Sequence, residues 1–379
     1  MPTIWRRCKR SFAREITPEN HLPVDISGAS APMGASMNLR SGPRRIRSPY
    51  LVMLGDTSDP TYAKTGLGIR QWQPERVIGQ LRFNSCKVDL GVADLTPAKA
   101  REQGACSLVV GVAPAGGGMP EHWWNCLEEA ARAGLDIVAG LHVRLAERPS
   151  LVRIAEQHGV KLIDVREPPT DLPVADGRKR RGLRLLTVGT DCAIGKKYTA
   201  LGIHGAMRQA GMKATFRATG QTGILIAGEG IPIDAVVADF AAGAAEALSP
   251  DNDPDHWDVI EGQGSLFHPA YAGVSLALLH GSQPDAIVIA HDPTRTHLSG
   301  WEHLPLPSII DCIDRHLEAG RLTNPAIRCV GISVNTSTMQ PDHRAACLDE
   351  LTRQTGLVCF DPLIDGCAGV VDHLQDAFG

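Results

Sequence analysis

The sequence predicts an α/β protein with two parallel sheets, and three observations carry that prediction. Short apolar runs that stop at turn residues alternate with amphipathic stretches along most of the chain, the pattern of parallel strands joined by helical crossovers. The composition, 43% hydrophobic with 39 Gly and 4% aromatic, suits a layered fold whose glycines serve turns and ligand loops. The 379 residues, at roughly 150 per domain, give about two domains, each able to bury an ordinary core.

Residues 1–49 stand apart. They carry Arg6, Arg7, Lys9, Arg10, Arg14, Arg40, Arg44, Arg45 and Arg47 against Glu15, Glu19 and Asp25, with no sustained hydrophobic period. A weakly ordered basic extension is expected there. The first domain, 50–166, opens on Tyr50-Leu-Val-Met-Leu followed by Gly55-Asp56, a buried strand feeding a loop. Ser107 to Ala113 repeats the pattern ahead of the glycine-rich Pro114 to Gly118; a helix over 121–133, a strand at 135–139, a helix over 151–158 and a strand at 162–165 complete a Rossmann-like unit. Residues 167–182, with Pro168, Pro169, Pro173 and the basic run Arg178-Lys179-Arg180-Arg181, read as a solvated linker. The second domain, 183–379, alternates again: a strand at 183–188, a helix over 196–209, and strands near Ala214, Ala235, Asp258, Ala286, Arg328 and Leu357.

Charge narrows the function classes. Thirty-eight Lys plus Arg against 42 Asp plus Glu leave −4, so no global positive field favours nucleic acid or an anionic membrane surface. Asp239, Asp285 and His291 interrupt the longest apolar stretches, short of the ~20 residues of a membrane span. Ten Cys occur without a CxxC pair or zinc-like spacing, as expected of reduced thiols in a cytoplasmic protein. Self-association into a homo-oligomer is expected as well.

The sharpest local signal is Leu185-Leu-Thr-Val-Gly189-Thr190-Asp191-Cys192-Ala193-Ile194-Gly195-Lys196-Lys197, a strand, a glycine-bounded loop and a helix. Glycines let several backbone N–H groups turn inward, the helix start adds partial positive charge, and Lys196 adds a full one. The loop predicts an anion site in a P-loop NTPase-like domain. Two departures from the common nucleotide loop matter: five residues separate Gly189 from Gly195, and Lys197 stands where Ser or Thr normally holds magnesium. Loops of the form GTDxxxGK resemble that of dethiobiotin synthetase, whose Asp contributes to a metal site; Asp191 occupies the equivalent place.

Other strand ends supply the remaining candidates. Arg217, Gln221 and Thr222 follow an apolar strand beside glycines, and Arg217 reads either as a carboxylate grip or as a surface arginine in a turn. Glu261 closes the run Trp257-Asp-Val-Ile, at the ligand edge of a parallel sheet, and is a candidate base or metal ligand. His268 is a candidate base or a hydrogen-bonded structural imidazole. Asp292 reads as a base or a cap, Arg295 as a second anion contact, and Asn335 as a reader of a nucleobase edge or a turn residue. Cys192, near Lys196 and a helix start, is either a nucleophile of lowered pKa or a small residue that fits the loop.

Together GTDCAIGK, ATGQTGILIAG, VVADFAAGAAE, IEGQGSLFHPAYAG and LLHGSQPDAIVIAHDPTR, with YLVMLGD, GVAPAGGG, AGLDIVAGLH and DVREPP in the first half, resemble a family that includes the D-glutamate N-acetyltransferases. The resemblance runs from about Tyr50 to the C-terminus. It implies transfer of an acetyl group from acetyl-CoA to D-glutamate, with N-acetyl-D-glutamate passed to a partner epimerase. On that reading residues 189–197 and Asn335 face the coenzyme, Arg217, Gln221, Thr222 and Arg295 face the amino acid, and Glu261, His268 or Asp292 takes the proton, with backbone N–H groups of 262–265 facing the oxyanion. The loop's likeness to the synthetase leaves a second reading, an ATP- and Mg2+-dependent ligase or kinase with Asp191 and Glu261 on the metal.

Overall fold

The computed structural model describes residues 45–113 and 119–379. The extension up to residue 44 and the Gly-rich segment 114–118 lie outside the described residues.

Both sheets are parallel throughout. The first holds β1 (Tyr50–Gly55), β2 (Val77–Arg82), β3 (Ser107–Val110), β4 (Asp136–Ala139) and β5 (Leu162–Asp164) in the order 2-1-3-4-5. Its strands are short and almost wholly buried, as β-rich apolar runs covered on both faces must be. The second sheet holds β6 (Leu183–Gly189), β7 (Ala214–Arg217), β8 (Trp257–Ile260), β9 (Ala286–His291), β12 (Arg328–Val334) and β13 (Val358–Phe360) in the order 13-12-9-6-8-7. A small antiparallel hairpin, β10 (His297–Leu298) and β11 (Trp301–Pro305), stands outside both.

Four sequence expectations need correction. The strand expected near Ala235 is a 3-10 turn over Ile233–Ala235; Pro232 lacks a ladder donor, and the Ile233 N–H goes instead to Thr219 O at 3.0 Å. Strand β2 and the hairpin were not foreseen. Residues 45–49, assigned to the extension, are part of the fold: Ile46 is buried and bonded to Gly228 O, and Arg47 makes a two-pronged pair with Asp136 at 2.6 and 2.7 Å. Within the basic run of 178–181, Lys179 and Arg180 are bound by the fold, while the Arg178 side chain stays exposed. Lys179 Nζ meets Asp285 Oδ1 at 2.6 Å, and Arg180 donates to the carbonyls of Ser249, Gly281 and Ser282.

The two sheets share one apolar core. Helix α1 (Lys64–Trp72) from the first half packs on α6 (Gln221–Ala227) of the second, with Thr65 Oγ1 3.3 Å from Thr222 Oγ1. One buried cluster therefore runs from Leu51, Val109 and Ile137 through Ile224 to Leu185 and Val288, and a second covers the opposite face of the second sheet around Ile260, Ile289 and Ile332. Among the described residues no helix is long and apolar enough to cross a membrane.

Candidate active site at the carboxyl edge of the second sheet

In an open parallel sheet, ligands sit outside the carboxyl ends of the strands, where the chain leaves neighbouring strands in different directions. Strand β6 leaves into the loop 190–195 and then α5 (Lys196–Gln209). Gly195, the residue before α5, has φ +113°, open to glycine, and Ala193 is held at φ +52° despite its Cβ. Ile194 and Thr190 are buried, the Thr190 hydroxyl lying 3.1 Å from His291 Nδ1.

Lys196 is 6% exposed, and its Nζ donates to the carbonyl of Asp191 at 2.7 Å, so the ammonium lies beneath the loop. Burial pulls its pKa down, against the opposing influence of Cys192 and Asp191. The neighbouring Lys197 extends over the Tyr198 ring, 4.6 Å from its centroid.

Asp191 is fully buried and its carboxylate is occupied. One oxygen accepts the Cys192 N–H at 2.7 Å; the other accepts Arg295 Nη1 at 2.7 Å and the Ser299 N–H at 2.8 Å. Arg295 is thereby corrected from a substrate grip to a brace on the loop: it also donates to Cys192 O at 2.8 Å and Ala193 O at 2.9 Å, and its Nε stands 3.3 Å from Asp292 Oδ2. Arg217 is anchored at its strand end, since its Nε donates to the buried carboxylate of Asp258 at 2.9 Å.

Two of the candidate bases are held by hydrogen bonds within the fold. Asp292 Oδ1 accepts the N–H and hydroxyl of Thr294, which makes it the cap of a turn. His268 is fully buried, stacked on Tyr271 with ring centroids 4.6 Å apart and edge-on to Trp301 at 4.5 Å. Its Nδ1 accepts the Ala270 N–H, which leaves the proton on Nε2 to donate to Ser299 O at 3.3 Å. Asn335 accepts the Ser337 N–H, again a turn.

Glu261 is different. It is 3% exposed, has no cation bonded to it among the described residues, and accepts the N–H groups of Thr219 and Gly220 on one oxygen at 3.0 and 3.1 Å. Burial raises its pKa above the ordinary glutamate value, against those two bonds and the field of Lys197. The turn after it loses one proposed donor, because the Gly262 N–H goes to Thr187 Oγ1 at 3.0 Å.

Glu261 also marks the seam between the sheets. Gln221, directly after Gly220, packs against the carboxyl end of β4: a Cβ on Gly140 would stand 2.9 Å from Gln221 Oε1 and 3.2 Å from Val165 Cγ2. The carboxyl edges of both sheets thus meet beside Gln221 and Thr222. Sequence reasoning missed Ser299 and His291. The former sits on the unforeseen hairpin; the latter, at the end of β9, was a visible strand-end polar residue, and burial lowers its pKa to about 4.

The ligand-type atoms of Asp191, Cys192 and His268 lie within 4.8 Å of one another. Their donors do not fit a divalent ion: Asp191 is already bonded by Arg295 and Ser299, and one imidazole nitrogen is taken by Ala270. Glu261 stands apart with its backbone partners.

Comparison with known proteins agrees with this architecture. The model of the domain of unknown function DUF1611_N, a Rossmann-like domain, matches residues 82–168, and that of DUF1611_C, a P-loop domain, matches 173–371. Two curated relatives, both called D-glutamate N-acetyltransferase, are similar over most of the chain. The one from Tritonibacter scottomollicae is 48% identical over 87% of this chain and 99% of its own; that from a Pseudoalteromonas species is 46% identical over 87% and 99%. A crystal structure of a DUF1611 family protein from Anabaena variabilis aligns with a TM-score of 0.76 at 33% identity, covering 87% of this chain and 100% of that one.

Proposed function

The chain belongs to the DUF1611 family, alongside the D-glutamate N-acetyltransferases it resembles, and from that membership we propose that it moves an acetyl group from acetyl-CoA to the amino nitrogen of D-glutamate. The observation that carries the reading is identity of 46–48% along 99% of the length of both relatives. N-acetyl-D-glutamate is the product, in a cytoplasmic catabolic step.

The site chemistry supports this assignment. The loop 190–196 offers inward N–H groups and the two lysines to the phosphates of the coenzyme. Its acyl arm would extend from there along the carboxyl edge of the sheet toward Glu261. With the phosphates covering the loop, Cys192 lies at the wrong end of the arm to be acylated, and the acetyl group passes directly. Glu261 accepts the first proton from the ammonium; the freed amine attacks the thioester carbonyl; the tetrahedral oxyanion faces the N–H groups of 263–265; and as the C–S bond breaks the nitrogen's second proton passes to the departing sulfur, which leaves N-acetyl-D-glutamate and the coenzyme thiol.

Incubation with acetyl-CoA and D-glutamate, with a thiol reagent reporting free coenzyme, tests the proposal. Coenzyme release that requires D-glutamate is expected. No release, together with ADP formed from ATP and Mg2+, would replace it with the ligase reading.

A further inference from the structure

The loop resembles those that hold a nucleotide together with a divalent cation, yet its cation position is filled from within the chain. Asp191, the residue that would face the metal, spends one oxygen on Arg295 Nη1 and the Ser299 N–H and the other on the Cys192 N–H, in full burial. Lys197 replaces the hydroxyl that would complete the metal's shell. Arg295 also draws the carbonyls of Cys192 and Ala193 toward itself. In a planar trans peptide the next N–H points the opposite way, so the N–H groups of Ala193 and Ile194 are turned from the guanidinium toward the other side of the loop. One side chain thus neutralises the buried aspartate and orients the loop's donors.

We infer that Arg295 is a positioning residue standing in for the divalent cation, and that this loop takes the phosphate ester of a coenzyme or nucleotide without metal. The inference rests on the loop being the phosphate receptor of the proposed function, but not on the acceptor being D-glutamate. Charge favours it. A divalent ion at Asp191 would lie against the Arg295 guanidinium and near Lys196, whereas an anionic ester meets two lysines and a helix start.

The test is calorimetric binding of coenzyme A, and of ADP, to the full chain with a chelator or with millimolar Mg2+. Affinities that agree within about twofold are expected; tightening by Mg2+ of roughly tenfold or more would overturn the inference. In Arg295→Ala, loss of several charge-assisted bonds should weaken coenzyme A binding by about tenfold or more, raising KM for acetyl-CoA more than it lowers kcat, with partial recovery in Arg295→Lys. Wild-type affinity in a folded Arg295→Ala protein would also overturn it; should that variant fail to fold, the metal titration of the unsubstituted chain decides alone. Metal-independent coenzyme binding without acetylation of D-glutamate would sink the functional proposal and leave this inference standing, while acetylation that needs Mg2+ would do the reverse.

Discussion

Oε2 of Glu261 accepts the backbone N–H of Gly220 at 3.1 Å, one residue before the helix Gln221–Ala227 that packs on the first half of the protein. This contact holds a carboxylate whose pKa burial has raised above its usual value of 4.5. As the base, Glu261 must be ionised, so kcat/KM should climb with pH through that raised value. Glu261→Gln should lose about a hundredfold or more and the acid limb with it; an unchanged acid limb in the variant would assign it to another group. Stability has the opposite sign. With the folded pKa above the unfolded one, the contribution of Glu261 is present below the ordinary glutamate range and is lost as pH rises through the raised value. The melting temperature of wild type minus that of Glu261→Gln should therefore fall across that window.

At the seam, Gly140→Ala places a methyl 2.9 Å from Gln221 Oε1 and 3.2 Å from Val165 Cγ2, both side-chain atoms that can give a little. A cost of about 1–2 kcal/mol is expected in thermal melts. KM for D-glutamate should rise while coenzyme A affinity, measured separately, stays put. Equal losses of both would mean that the seam does not form part of the acceptor site.

The segment 45–49 can be tested by truncation. Compared with a protein starting at Arg45, one starting at Tyr50 loses Ile46 and the Arg47 pair and leaves buried Asp136, among the described residues, with the Lys161 N–H. Because Arg47 is half exposed, the penalty is set at about 1–3 kcal/mol. Identical melting of the two would show the pair to be inconsequential.

Arg180→Ala should cost about 3 kcal/mol in denaturant midpoint experiments, since three carbonyls lose a charged donor at once. Burial beside Arg184 already lowers the Arg180 pKa to about 10, a measure of how far from solvent this linker residue lies. A change below about 0.5 kcal/mol, the range of an ordinary surface substitution, would return residues 178–181 to the status of a solvated tether.

What the sequence displayed, and what it withheld, follows one rule. Apolar runs, glycine spacing and a charge at a strand end are local, so the parallel strands, the loop at 189–197 and the edge position of Glu261 could be read directly. Partnership is not local. Arg217 and Arg295 looked like open grips because Asp258 lies 41 residues from the first and Asp191 lies 104 from the second. Lys179 and Arg180 looked solvated because their acceptors, Asp285 and the carbonyls of 249, 281 and 282, are supplied by folding. Strand β2 hid its nature behind Gln80, a polar residue buried by bonds to Asp89 and Val92.

The hairpin of β10 and β11 adds nothing to either sheet, yet Ser299 between its strands gives its N–H to Asp191 and its carbonyl to His268. A single residue on an outlying ribbon thus ties the floor of the anion receptor to the aromatic stack of Tyr271 and Trp301. Loss of that stack would therefore bear on the Asp191 carboxylate through one peptide unit.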